Sequence, residues 1–208
     1  MTSSEDRQTW IRHSFYLALL TAFYHTLQFA AGLALFRKTA SPALLTYALD
    51  AIVSAPAALL MALRIVRHNR LDIVGAEERW RFRAVAGGYI VAALFGLALA
   101  VSRLWSGTRV GWSVLSIALA ALSMLVIPII GSYMKVLGVE LRSQAARNAA
   151  VFTFGNSYLS MVLLISQLMN IGMNLPWGDA LGAVVMVPFM IQKGIQILLE
   201  EGKNEYED

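Results

Sequence analysis

The sequence predicts an all-α integral membrane protein, a bundle of six transmembrane helices. Its 208 residues are 58% hydrophobic and only 14% charged, with a mean hydropathy of +0.61, which is more apolar than a soluble domain of this size. The apolar residues fall in long blocks, and each block has the roughly 20 residues that a helix needs to cross a bilayer core. Little sequence remains outside the blocks, so we expect no separate soluble domain.

The blocks place six helices in order between an N-terminal segment, 1–13, and a tail, 200–208. Segment 1–13 lacks a small-residue cleavage site, so we do not expect a signal peptide. Pro42 suits the first turn of a helix and marks the start of helix two. Within a transmembrane domain of 14–199, the predicted helices are 15–36, 42–63, 82–102, 110–136, 145–169 and 176–199. Glycines that allow close helix approach are Gly32, Gly87, Gly88, Gly96, Gly131, Gly155, Gly182 and Gly194.

Lysine and arginine are distributed unevenly over the two sides that six spans create. Thirteen of the seventeen lie on the side of the chain termini. The other four are Arg37, Lys38, Arg103 and Arg109. The positive-inside rule therefore predicts that both termini are cytoplasmic. This placement also explains the net charge of +4, so we expect the lipid bilayer, and not nucleic acid, as the main partner.

Few ionisable side chains fall inside the predicted helices, where a charge costs roughly 2.5–3.5 kcal/mol on insertion scales. Asp50 is the one carboxylate placed well inside a span, and His25 lies midway along helix one. Two roles are open for Asp50: a carboxyl that joins helices by hydrogen bonds to His25, Tyr47 or Asn156, or a group that handles ions or protons. His25 is open between a hydrogen-bond partner and a ligand. Lys193, near a cytoplasmic helix end, is interpreted as a side chain that snorkels to the interface.

Helix five carries a polar stripe whose members are spaced by three, seven and fourteen residues and so share one face. We expect this face to lie against protein or water and not lipid. Two interpretations are open, namely interhelical hydrogen bonds of about 0.6 kcal/mol each or the wall of a hydrated path. The stripe consists of Thr153, Asn156, Ser160 and Gln167.

A weaker candidate lies in the loop between helices two and three. His68 and Asp72 are four residues apart beside Glu77 and Glu78, and a helical loop would make them a surface metal site. The alternative is a set of solvated charges. The chain has no cysteine, which excludes disulfides and thiolate ligands. No nucleophile and base pair, phosphate loop or complete metal-ligand set is apparent, so we do not expect an enzyme.

Four segments resemble the transmembrane domain of the cation diffusion facilitator family, six-helix antiporters of divalent metals and protons with cytoplasmic termini. They fall in the family's order and spacing over about residues 10–200. The segments are 41–50 (SPALLTYALD) on helix two, 78–82 (ERWRF) before helix three, 137–143 (LGVELRS) before helix five and 177–182 (WGDALG) opening helix six. The resemblance implies a homodimer.

In that family a tetrahedral metal site takes two His or Asp ligands four residues apart on helix two and two more on helix five, a spacing that puts each pair on one face. The corresponding positions are Asp50 and Ser54, then Phe152 and Asn156. Only Asp50 is a family-type ligand, so the metal site is degenerate. Family members commonly add a cytoplasmic metal-binding domain after helix six, which we do not expect here.

The resemblance implies two functions that remain open. One is a divalent-cation transporter-like protein that exchanges a cation for protons with altered selectivity. Its cation and proton-binding candidates are Asp50, Ser54, Asn156 and His25, and its cation would be manganese, magnesium, zinc or iron. The other is a non-transporting homologue that acts as a structural or regulatory partner of another membrane protein.

Overall fold

The computed structural model describes most of the chain, and its described part contains six helices, which confirms the predicted fold class. Each helix contains a stretch long and apolar enough to cross a membrane, so the chain is a multi-pass integral membrane protein. The helices are α1 (Ser4–Thr39), α2 (Pro42–His68), α3 (Ala76–Ser106), α4 (Val114–Glu140), α5 (Gln144–Gly172) and α6 (Gly178–Tyr206). The described residues are 4–68, 76–107, 110–140, 144–173, 175 and 177–206, with side chains described over 8–63, 80–107, 110–140, 150–173, 175 and 177–199.

The observed helices run past several of the predicted bounds, because hydropathy marks only their apolar part. The start of α4 differs in the other direction, at Val114 instead of the predicted Val110. Ser113 caps this helix, since its hydroxyl oxygen accepts the Leu115 amide at 3.3 Å and its carbonyl accepts the Ile117 amide at 3.3 Å. The predicted first residue of helix six, Pro176, lies outside the described residues.

The helices pack so that α2 contacts four others. It lies against α1, α3, α5 and α6, while α4 packs on α1 and α5, and α6 also packs on α3 and α5. The starts of α2 and α6 meet at Ser41 and Asp179, so even-numbered helices begin at one end of the bundle. We call this end the opposite end, because it lies across the bundle from the end where α1 begins. The terminal end carries the chain termini and the α2–α3 and α4–α5 connections.

The outer and inner faces have the polarity expected of a protein in lipid. Large apolar side chains such as Phe95 and Leu125 are more than half exposed on the outside of the bundle. Asp50, Lys193 and Asp179 are buried inside it. A lipid-facing surface must be apolar, and the backbone groups of each helix form hydrogen bonds within the helix. The polar side chains therefore face the interior of the bundle.

One close helix contact gives a prediction for stability. A Cβ atom added to Gly182 on α6 would lie 2.5 Å from Cβ of Ser166 on α5. We therefore expect Gly182→Ala to lower the free energy of unfolding in detergent by about 1–3 kcal/mol through overpacking. Gly87→Ala is the matched control, because nothing lies within 4 Å of its added Cβ. Equal stability of the two variants would contradict the close contact.

Candidate cation site

The centre of the bundle contains a buried ion pair between α2 and α6. The Lys193 ammonium nitrogen lies 2.7 Å from Oδ1 of Asp50, and the two side chains are only 5% and 3% exposed. A buried pair of this kind is favourable only when the remaining polar atoms around it are satisfied. The surrounding residues of α1, α3 and α5 do this.

The interpretation of Lys193 as a snorkelling side chain is wrong. Side chains on a helix lean toward its N-terminus, and α6 begins at the opposite end, so Lys193 points away from the nearby terminal end and into the bundle. Gly155 on α5 makes room for it, since an added Cβ there would lie 3.2 Å from Cε of Lys193. The Asp50 carboxylate then supplies the counter-charge.

Asn156 on α5 connects this ion pair to His25 on α1. Its Oδ1 accepts a hydrogen bond from the Lys193 ammonium. Its Nδ2 therefore faces His25 and donates to Nε2 at 3.0 Å. Nδ1 of His25 lies 2.6 Å from Oε1 of Gln28 and carries the proton that this acceptor requires. The contacts thus assign a neutral imidazole with its proton on Nδ1.

Ser54 and Tyr89 complete the surroundings of the ion pair. The Ser54 hydroxyl donates to Oδ2 of Asp50 at 3.4 Å. The Tyr89 hydroxyl, 2.9 Å from Oγ of Ser54, is therefore the donor in that second contact. The Tyr89 ring centroid lies 5.4 Å from the Lys193 nitrogen, within the range of a cation–π contact. The ammonium therefore lies among two oxygen acceptors and an aromatic face.

A second group of polar side chains continues from His25 toward the opposite end. Nε2 of Gln28 donates to the Tyr47 hydroxyl and to Oγ of Ser123 at 2.9 Å. The Tyr47 hydroxyl lies 3.0 Å from Oγ of Ser160, which donates to a backbone carbonyl of α5. These contacts tie α1, α2, α4 and α5 together directly beside the ion pair.

A small cavity of about 30 Å³ extends from the site toward the terminal end. This is room for one or two water molecules. Its polar wall is formed by side chains of the site, and its apolar wall by residues in the terminal half of the helices. The polar wall contains Thr21, His25, Ser54, Tyr89, Thr153 and Asn156, and the apolar wall includes Met61, Phe82, Met134, Phe152 and Ile197.

The opposite end is closed by a buried polar cluster, which we call the Asp179 clamp and define as Asp179, Ser41, Gln167 and Ser116. The Asp179 carboxylate accepts the Ser41 hydroxyl at 2.7 and 2.9 Å, the Ala43 amide at 3.2 Å and Nε2 of Gln167 at 2.8 Å. Ser116 donates to Oε1 of Gln167 at 3.0 Å. The clamp thereby joins α2, α4, α5 and α6.

Two features keep the clamp separate from the ion pair. Asp179 and Lys193 are fourteen residues apart on α6, a rise of about 21 Å along a helix. Between the two levels, Leu44, Leu163 and Met186 are completely buried in the apolar core. The site is therefore shut off from the opposite end by an apolar layer and a polar clamp.

The structure brings together all four residues that the sequence singled out as cation and proton-binding candidates. Asn156 lies 3.4 Å from Ser54 and also contacts His25, while Ser54 contacts Asp50. The polar stripe of α5 is buried, as predicted. His68 and Asp72, the surface metal candidates, lie outside the residues whose side chains the structure describes.

Sequence reasoning missed Lys193, Tyr89, Gln28 and Asp179 as parts of the interior. A signal existed for Lys193, which is the basic residue placed deepest in any predicted helix. A buried carboxylate such as Asp50 requires a positive partner or a proton, and Lys193 is the natural partner. Gln28 also carried a signal, because a glutamine near the middle of a transmembrane helix needs a hydrogen-bond partner on another helix, whereas tyrosine carries none, because it also occurs at membrane interfaces.

Comparison with known proteins gives no family for the chain. No protein-family model matches the sequence, and no curated protein matches it significantly. The case for function therefore depends on the site itself.

Proposed function

We propose that this protein is a secondary transporter that carries a small cation across the membrane through the site around Asp50. The observation that supports this most strongly is the Lys193 ammonium itself, a positive charge held at the centre of the bundle by Asp50 and Asn156. Ionisable groups at such depth are expensive and mark ion or proton pathways in membrane proteins.

The two ends of the bundle also suit alternating access. A small cavity lies on the terminal side of the site, whereas the apolar layer around Leu163 and the Asp179 clamp close the other end. A transporter needs a site near the middle of the membrane that opens to one side at a time. In this proposal access to the site comes first from the terminal end.

The orientation follows from the distribution of positive charge. Lys193 lies inside the bundle and no longer belongs to the basic end, which leaves twelve of the thirteen basic residues there against four on the other. By the positive-inside rule this distribution still favours a cytoplasmic terminal end, and so cytoplasmic termini. The resemblance to cation diffusion facilitators adds two parts to the proposal, a homodimer and exchange of the cation for protons. In the same resemblance, Asp50 and Asn156 occupy metal-ligand positions of helices two and five.

Cation flux into proteoliposomes tests the proposal. Purified protein is reconstituted, and uptake of sodium, potassium, magnesium, manganese and zinc is followed with and without a pH gradient. We expect flux of at least one cation, and we expect Asp50→Asn to abolish it because the site then lacks its negative charge. Glu140→Gln is the matched control, since Glu140 is an exposed carboxylate at the end of α4. Unchanged flux in Asp50→Asn would refute the proposal.

The polar atoms of the site are all hydrogen-bonded or ion-paired within the bundle, and this favours a second candidate function. Each polar atom described above has a partner within the bundle, which is also what a purely structural lock between helices requires. In that case the chain serves as a structural or regulatory partner of another membrane protein. Absence of flux from folded protein, together with a stoichiometric membrane protein that co-purifies from native membranes, would support this alternative.

A further inference from the structure

We infer that the Asp50 site takes one singly charged small cation and that the Lys193 ammonium occupies its place in this structure. The inference rests on the proposed function and narrows it to a substrate class. It departs from the divalent metals that the sequence suggested.

The charges around the site indicate that the bound cation carries a single positive charge. Asp50 is the only carboxylate that contacts the site among the described residues, and Lys193 neutralises it. Of the other titratable groups that face the pair, His25 on α1 is neutral, and the Tyr89 hydroxyl on α3 keeps its proton and donates a hydrogen bond to Ser54. A divalent ion at Asp50 would leave at least one positive charge without compensation in a medium of low dielectric constant.

The atoms around the Lys193 nitrogen indicate the kind of cation. One carboxylate oxygen of Asp50, the amide oxygen of Asn156 and the face of the Tyr89 ring surround it. Oxygen atoms and an aromatic face suit an ammonium or an alkali cation. By contrast, the described part of the chain contains no group of three or more His, Asp or Glu side chains that could hold a metal ion.

The Lys193 ammonium sets the size of the cation that can take its place, because the space beside it is small. The cavity of about 30 Å³ beside Ser54 and Tyr89 admits species as small as water. A cation that takes the place of the ammonium requires Lys193 to move away and release its proton, so that Asp50 faces one positive charge.

Chemical rescue of a lysine-free site tests the inference. Lys193→Ala leaves Asp50 without its counter-charge and opens the position of the ammonium. At constant ionic strength, we expect ammonium, methylammonium, sodium or potassium to raise the unfolding temperature of Lys193→Ala, with a rise that grows with the logarithm of concentration. We expect no such rise in Lys193→Ala combined with Asp50→Asn. Lys193→Val, whose shorter side chain also leaves the position of the ammonium open, serves in place of Lys193→Ala if the latter does not fold.

Two results would overturn the inference. One is stronger stabilisation of Lys193→Ala by magnesium, manganese or zinc than by the monovalent ions at equal concentration. The other is no stabilisation by any of these ions in a variant that folds. The proposed function fails separately, because folded wild-type protein that conducts no cation would refute transport while rescue of Lys193→Ala by ammonium would still establish the monovalent site.

Discussion

Asp50→Asn is expected to lower the free energy of unfolding by about 3–5 kcal/mol. The substitution keeps the size of the side chain but removes its negative charge, so the Lys193 ammonium remains buried without compensation. Asn156 and the Tyr89 ring still contact the ammonium, but neither carries a full negative charge. Denaturant titration of the purified protein in detergent, followed by circular dichroism, measures the change.

The double variant Asp50→Asn with Lys193→Met distinguishes the effect of the unpaired charge on stability from the effect of the lost contacts. It removes both charges and keeps a side chain of similar length on α6, so we expect it to recover most of the lost stability. The matched control is Glu140→Gln with Lys135→Met, which removes the same two charges from the exposed end of α4 and should change little. A double variant at Asp50 and Lys193 no more stable than Asp50→Asn would contradict the account.

Loss of the Asp179 clamp is expected to open the opposite end of the bundle. In Asp179→Ala, the Ser41 hydroxyl, the Ala43 amide and the Gln167 amide group lose a shared acceptor. An unsatisfied buried donor costs about 1–3 kcal/mol, so the contacts among α2, α5 and α6 weaken at this end. The chain contains no cysteine, which allows a single introduced thiol to report access without background.

Ala183→Cys on α6 is the reporter, because Ala183 is completely buried in the core between the clamp and the site. We expect a water-soluble thiol reagent to label it slowly in the wild-type background and at least tenfold faster with Asp179→Ala, since about 1.4 kcal/mol is a factor of ten in an equilibrium. Glu140→Cys, which replaces an exposed residue at the end of α4, should react in both backgrounds. Equal labelling of Ala183→Cys with and without Asp179→Ala would show that the clamp does not close this end.

The fold was predictable because its signal is local. Each transmembrane helix needs only a sufficient run of apolar residues, and no information about neighbours is required to identify it. The same reasoning missed the start of α4, because Ser113 ends the preceding segment by capping and hydropathy does not register a cap.

The candidate site was predictable in part, because Asp50 and His25 are conspicuous in an apolar helix. Their partners depend on which helices adjoin and on how each helix is rotated, and neither follows from one sequence. Lys193 illustrates the limit. Its distance from the helix end suggested an interfacial side chain, and only the direction of α6 and the gap at Gly155 show that it reaches Asp50.

Cation flux through the double variant Asp50→Asn with Lys193→Met tests directly whether a cation crosses the membrane through the site around Asp50. This variant is expected to fold nearly as stably as the wild type, so a loss of transport reports the site and not the fold. In proteoliposomes with sodium or potassium gradients, we expect flux by the wild-type protein and none by the double variant. Equal flux by the two proteins would contradict the claim.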